Sequence, residues 1–84
     1  MIHHASPAFW KCYRLLPAPT RNLADRLFKA LKSNPDHPSL QLKQLGSYWS
    51  ARVGLHYRTL GIDVPEGILW IWIGSHAAYD RLIH

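Results

Sequence analysis

The chain has 84 residues, which is one domain, and its 48% hydrophobic content excludes disorder as its resting state. A single cysteine, Cys12, excludes an internal disulfide and a cysteine-based metal cluster, and the longest apolar run, residues 68–73, is far short of the roughly 20 residues of a membrane helix. Ten Lys and Arg against five Asp and Glu give a formal net charge of +5, which favours polyanionic partners, although a soluble domain with scattered surface charge is the plainer reading.

Ser6-Pro7 opens the first predicted helix, because serine caps free backbone N–H groups and proline suits the first helical position. Phe9, Trp10, Tyr13 and Leu16 then recur at helical spacing, and Pro17-Ala18-Pro19 ends the element. Thr20 is the expected cap of a second helix reaching about Ser33. Its apolar stripe is Leu23, Leu27, Ala30 and Leu31, with Ala24 and Phe28 beside it. Asn34-Pro35 is a stop signal, and the two helices should form an αα-hairpin.

The second half reads as strands. Leu40, Leu42 and Lys43-Gln44-Leu45 suggest a short one before Gly46-Ser47, and residues 48–53 a second. Gly54-Leu55 makes a tight turn into a third strand, residues 56–62, and residues 63–67 are a turn cluster. Residues 68–73 are apolar on both faces, as in a central strand. Gly74-Ser75 ends it, and Ser75 caps a short helix reaching Ile83. A stub strand at residues 2–5 is compatible with the start. The fold class is therefore α+β: an N-terminal αα-hairpin on one face of a twisted antiparallel sheet of about four strands, with a short C-terminal helix, all in one domain over residues 1–84. The start at Met1-Ile2-His3-His4 lacks the charged and apolar regions of a signal peptide, so the cytoplasm is the expected compartment, with no membrane partner.

Strand alternation sorts the chemistry. Tyr48, Ser50 and Arg52 share one face, while Trp49, Ala51 and Val53 share the other and should meet the helices. His56 and Arg58 share a face on the next strand, and the turn brings Arg52 and Arg58 within reach of each other. His76 follows the central strand, and Tyr79 lies one helical turn later. Such a set suits RNA cleavage without a metal. A base takes the ribose 2′-hydroxyl proton, cations stabilise charge on the phosphate oxygens, and an acid protonates the leaving 5′-oxygen. Histidine titrates near neutrality, arginine presents a planar fork to phosphate, and an aromatic ring can stack on a splayed base. Each residue also has a plainer role: Arg58 a solvated strand residue, His56 a surface histidine beside a turn, His76 a first-turn helix residue, Trp70 and Trp72 packing groups, Cys12 a buried inert thiol, and His3, His4 and His84 mere terminal residues. The histidines are scattered without ligand spacing, so no metal site and no cofactor are expected.

Several pieces, in order, resemble the RelE/ParE superfamily of type II toxin–antitoxin toxins, and most closely its RelE-like and YafQ-like branch. They are Ser6-Pro7-Ala8-Phe9-Trp10, Leu15-Leu16-Pro17, Asn34-Pro35 with His37-Pro38-Ser39-Leu40, Lys43-Gln44-Leu45-Gly46, Tyr48-Trp49-Ser50-Ala51-Arg52-Val53-Gly54 with His56-Tyr57-Arg58, and Trp72-Ile73-Gly74-Ser75-His76-Ala77-Ala78-Tyr79-Asp80. No single piece is diagnostic; their order and spacing over about residues 7–83 carry the likeness. The resemblance implies a ribosome-dependent endoribonuclease that cuts messenger RNA and is blocked by a cognate antitoxin. It implies Arg58 and Arg52 as phosphate stabilisers, His76 as general acid or base, and Tyr79 as the residue stacking on a base. Lys43 and Arg81 are the further basic residues expected to touch RNA. Ser50 stands where RelE-like members carry lysine, and Ala77-Ala78 replace a basic cluster; His56 is the candidate substitute base. The rival expectation is a non-enzymatic homologue, ParE-like and gyrase-inhibiting, or degenerate and binding only its antitoxin.

Overall fold

A computed structural model describes residues 2–34 and 36–83, apart from the Ser39 side chain. Met1, Pro35 of the stop signal and His84 lie outside the described residues. The elements are β1 (Ile2–Ala5), α1 (Pro7–Arg14), α2 (Ala18–Ser33), a 3-10 turn (Pro38–Leu40), β2 (Lys43–Leu45), β3 (Tyr48–Val53), β4 (Tyr57–Val64), β5 (Gly67–Ser75) and α3 (His76–Ile83).

Local chemistry explains most boundaries. The Ser6 hydroxyl accepts the Phe9 N–H at 3.1 Å and starts α1. The second helix begins earlier than a Thr20 cap would place it. Pro17 is the cap, Pro19 sits in the first turn where a missing N–H costs nothing, and Thr20 is buried inside the helix. Arg21 donates to the Leu16 carbonyl at 2.7 Å, tying the two helices at their junction. The third predicted strand is shifted: β4 begins at Tyr57 and continues to Val64, leaving His56 in the turn and only Pro65 and Glu66 between β4 and β5. Leu40 belongs to the 3-10 turn rather than to β2.

The sheet has five strands in the order β1-β5-β4-β3-β2. The stub strand forms and pairs parallel to β5, with Ile2 opposite Gly67 and Ala5 opposite Trp70, so the sheet is mixed rather than purely antiparallel. The apolar helix stripes pack on one face. Phe9, Leu16, Ala24, Leu27 and Leu31 meet Ala51, Val53, Ile68, Trp70 and Ile73 in a single core. A bulge sits where Leu60 pairs with Trp72 but Gly61 pairs with Trp70. The extra residue, Ile71, turns Trp70 and Trp72 to opposite faces although they are two positions apart. Trp70 is buried beneath the helices, against Phe28 at a ring separation of 5.7 Å. Trp72 lies on the far face, its indole over Gly74, where a Cβ would come within 2.5 Å of the ring. That far face is covered in part by α3, which the Ser75 hydroxyl caps at the Ala78 N–H.

Candidate active site

Arg58 is the centre of the far face, and it is not a solvated strand residue: only 5% of it is exposed. Its Nε and one terminal nitrogen donate to the Ser50 hydroxyl at 3.0 and 2.9 Å. The other terminal nitrogen reaches the Gln41 amide oxygen at 3.4 Å. The Tyr79 ring closes over it, 5.0 Å from guanidinium carbon to ring centre. No carboxylate is among these partners. A guanidinium taken from water without a counter-charge keeps a strong demand for an anion. Strand register explains the placement. Ser50 and Arg58 are diagonal neighbours on β3 and β4, and serine is small enough for the guanidinium to lie over it.

The serine also stands where the resemblance to RelE-like toxins leads one to expect a lysine. A lysine here would set a second cation beside a buried arginine; the hydroxyl instead accepts two of its N–H groups. Gln41 adopts φ 45°, a left-handed conformation uncommon outside glycine, on the way into β2. Neither Ser50 nor Gln41 stood out as a holder of Arg58. For Ser50 the signal was present in the shared strand face; for Gln41, in the irregular loop, there was none.

His76 starts α3. Its backbone N–H donates to the His56 carbonyl at 2.7 Å, which locks the start of α3 to the β3–β4 turn. Its Nδ1 lies 3.2 Å from the Asp80 carboxylate one turn later, and its ring meets the edge of Tyr79 at 5.9 Å. Asp80 is a functional candidate that was legible as an i,i+4 partner of His76. With Nδ1–H given to Asp80, Nε2 presents its lone pair outward; the tautomer is inferred from this hydrogen bond. The His56 side chain is exposed in the turn rather than aligned with Arg58 on a strand.

Arg52 is opposite Arg58 in register, yet its side chain goes elsewhere. Its Nε donates to the Gly54 carbonyl at 2.8 Å, and it lines a cleft with Leu23, Arg26, Leu40 and Leu55 beside α2. The structure thus brings together Arg58, Tyr79, His76 and the His56 backbone, but not the Arg52 guanidinium. Lys43 is exposed on β2, paired in register with Ser50, and Arg81 is exposed on α3. Tyr79 is 5% exposed, so its ring is spent on Arg58 and not open to a base in this conformation. Among the described residues no three His, Cys, Asp or Glu side chains gather as a metal site, and no helix is long and apolar enough to cross a membrane.

No family model matches the sequence, and no curated protein does. Solved structures do match. YafQ from E. coli strain BL21(DE3) superposes with a TM-score of 0.71 at 20% identity, covering 93% of this chain and 96% of that one. A chain of the RelB–RelE antitoxin–toxin complex from Methanococcus jannaschii gives 0.69 at 16%, covering 96% and 99%. The YoeB/ParE toxin from Agrobacterium tumefaciens gives 0.69 at 18%, covering 90% and 99%. This chain therefore carries the RelE/ParE-type toxin fold over nearly its whole length.

Proposed function

We propose that the chain is the toxin of a type II toxin–antitoxin pair, a metal-independent endoribonuclease that cuts messenger RNA on the ribosome in the cytoplasm. The observation that carries this reading is Arg58, a buried guanidinium without a carboxylate, beside a histidine oriented by Asp80. In the reaction the 2′-oxygen bonds to phosphorus while the bond from phosphorus to the 5′-oxygen breaks. His76 Nε2 takes the 2′-hydroxyl proton, and Arg58 neutralises the charge building on the phosphate. His56, whose backbone carbonyl is joined to His76, is the candidate partner for the second proton transfer, giving a proton to the leaving 5′-oxygen. Lys43, Arg52 and Arg81 hold neighbouring phosphates. Tyr79 must leave Arg58 before the phosphate arrives, and the freed ring can then stack on a base. A partner antitoxin is proposed from the matching RelB–RelE complex.

The test is to incubate the chain with translating ribosomes and map RNA ends. Cleavage within codons that is lost in H76A and R58A, with both variants folded, is the expected result. Folded variants that keep full toxicity would sink the assignment. The Tyr79 ring lying over Arg58, 5.0 Å from its guanidinium carbon, favours a second reading, a non-enzymatic homologue that binds its antitoxin or inhibits gyrase. Intact RNA together with trapped gyrase–DNA breaks would decide for it.

A further inference from the structure

A cavity of about 300 Å³ lies on the opposite side of the molecule, between β1, α1 and α2. That volume is at the small end of the range for ligand sites. Its walls are aromatic. Phe9 and Trp70 form the buried floor, and Phe28 stands edge-on to both at 5.3 and 5.7 Å. Trp10 is 44% exposed at the side, a large apolar ring left facing water. The rim is basic. Lys29 and Lys32 stand one turn apart on α2, and His4 lies on β1. Asp25 is the acidic residue of the lining, and its carboxylate already accepts the Tyr13 hydroxyl at 2.8 Å. His3 is committed too: its Nδ1 accepts the Trp70 indole N–H at 3.1 Å. Phe9 and Trp70 are closed off beneath their neighbours, so the ring surface left to a ligand is that of Trp10 and the partly buried Phe28, and these two rings beneath two lysines suit a flat ring that carries an anion.

We propose that this cavity binds a nucleoside monophosphate, its base against Trp10 and Phe28 and its phosphate on Lys29 and Lys32. Stacking on aromatic rings tolerates different bases, and the lysines supply the affinity that salt weakens. Asp25 lies one turn before Lys29 and repels the phosphate, which orients it toward the Lys32 end of α2. The base then occupies the Trp10 side. This pocket lies on the helix face of the sheet, whereas Arg58 lies on the other, so the two sites share no residue.

The four tryptophans provide the readout. Trp10 and Trp70 line the cavity, while Trp49 is hydrogen-bonded to Asp63 and Trp72 lies on the far face. The full chain is titrated with adenosine 5′-monophosphate and the indole N–H resonances are followed by NMR, alongside adenosine and inorganic phosphate. Saturable shifts of Trp10 and Trp70, with Trp49 and Trp72 unmoved, are expected. Adenosine should bind at least fivefold more weakly, and a Lys29→Gln/Lys32→Gln variant should weaken the nucleotide about tenfold. Both lysines are exposed, so that variant keeps its fold. Absent saturation, shifts confined to Trp72, or an affinity unchanged in the double variant would each overturn the proposal. None of these results depends on RNA cleavage.

Discussion

At the scale of single residues, Ser50 and Arg58 form one unit. Two N–H groups of a buried cation end on one hydroxyl, so Ser50→Ala leaves them without an acceptor. The expected cost is about 1–3 kcal/mol, read from urea unfolding. Ser50→Lys should cost more, because it adds a like charge at the same place. His3 offers a separate test. Burial, and then nearby positive charge that includes Lys32, hold its imidazole below the ordinary value of 6.5. The folded state thus prefers the neutral ring, whose Nδ1 accepts from Trp70. Its stabilisation is fully present above pH 6.5 and is lost as pH falls below that value toward the lowered folded one. Thermal midpoints should therefore drop between neutral and mildly acid pH, and His3→Gln, which accepts without titrating, should flatten that drop.

At the scale of elements, the β3–β4 turn positions most of the site. Gly54 holds φ 63°, and a Cβ there would approach Leu23 at 2.9 Å. Gly54→Ala should cost about 1 kcal/mol or more in thermal or urea unfolding. It should also loosen α3, whose first N–H is held by the turn through His56. The turn, both helices and β3 were legible because their signals are local: a capping serine, prolines, a glycine, a period of two. The parallel pairing of β1 with β5 was not, because it joins the two ends of the sequence and leaves no local pattern. The bulge hid in the run from Ile68 to Ile73, where every residue is apolar and the face of each cannot be told. Arg58 and Arg52 show the same limit at the site. Alternation placed both Cα atoms correctly, but a long side chain follows its hydrogen-bond partners, which are Ser50 and the loop residue Gln41 for Arg58 and the turn carbonyl of Gly54 for Arg52.

At the scale of the whole molecule, the proposed binding of RNA, given a net charge of +5, should depend steeply on salt. For single strands, log affinity falls with log salt by about 0.7 for each phosphate neutralised. Replacing Lys43 and Arg81 with glutamine should therefore reduce that slope by about 1.4 if each meets one phosphate, measured by fluorescence anisotropy across a salt series. The covering of Arg58 by Tyr79 has a further consequence, in chemical reactivity. A guanidinium beneath a ring is shielded from dicarbonyl reagents that modify arginine, while Arg14, Arg26 and Arg81 stand exposed to them. The rate at which Arg58 becomes labelled is then set by how often α3 lifts from the sheet, so a slow modification reaction followed by mass spectrometry times the uncovering of this guanidinium.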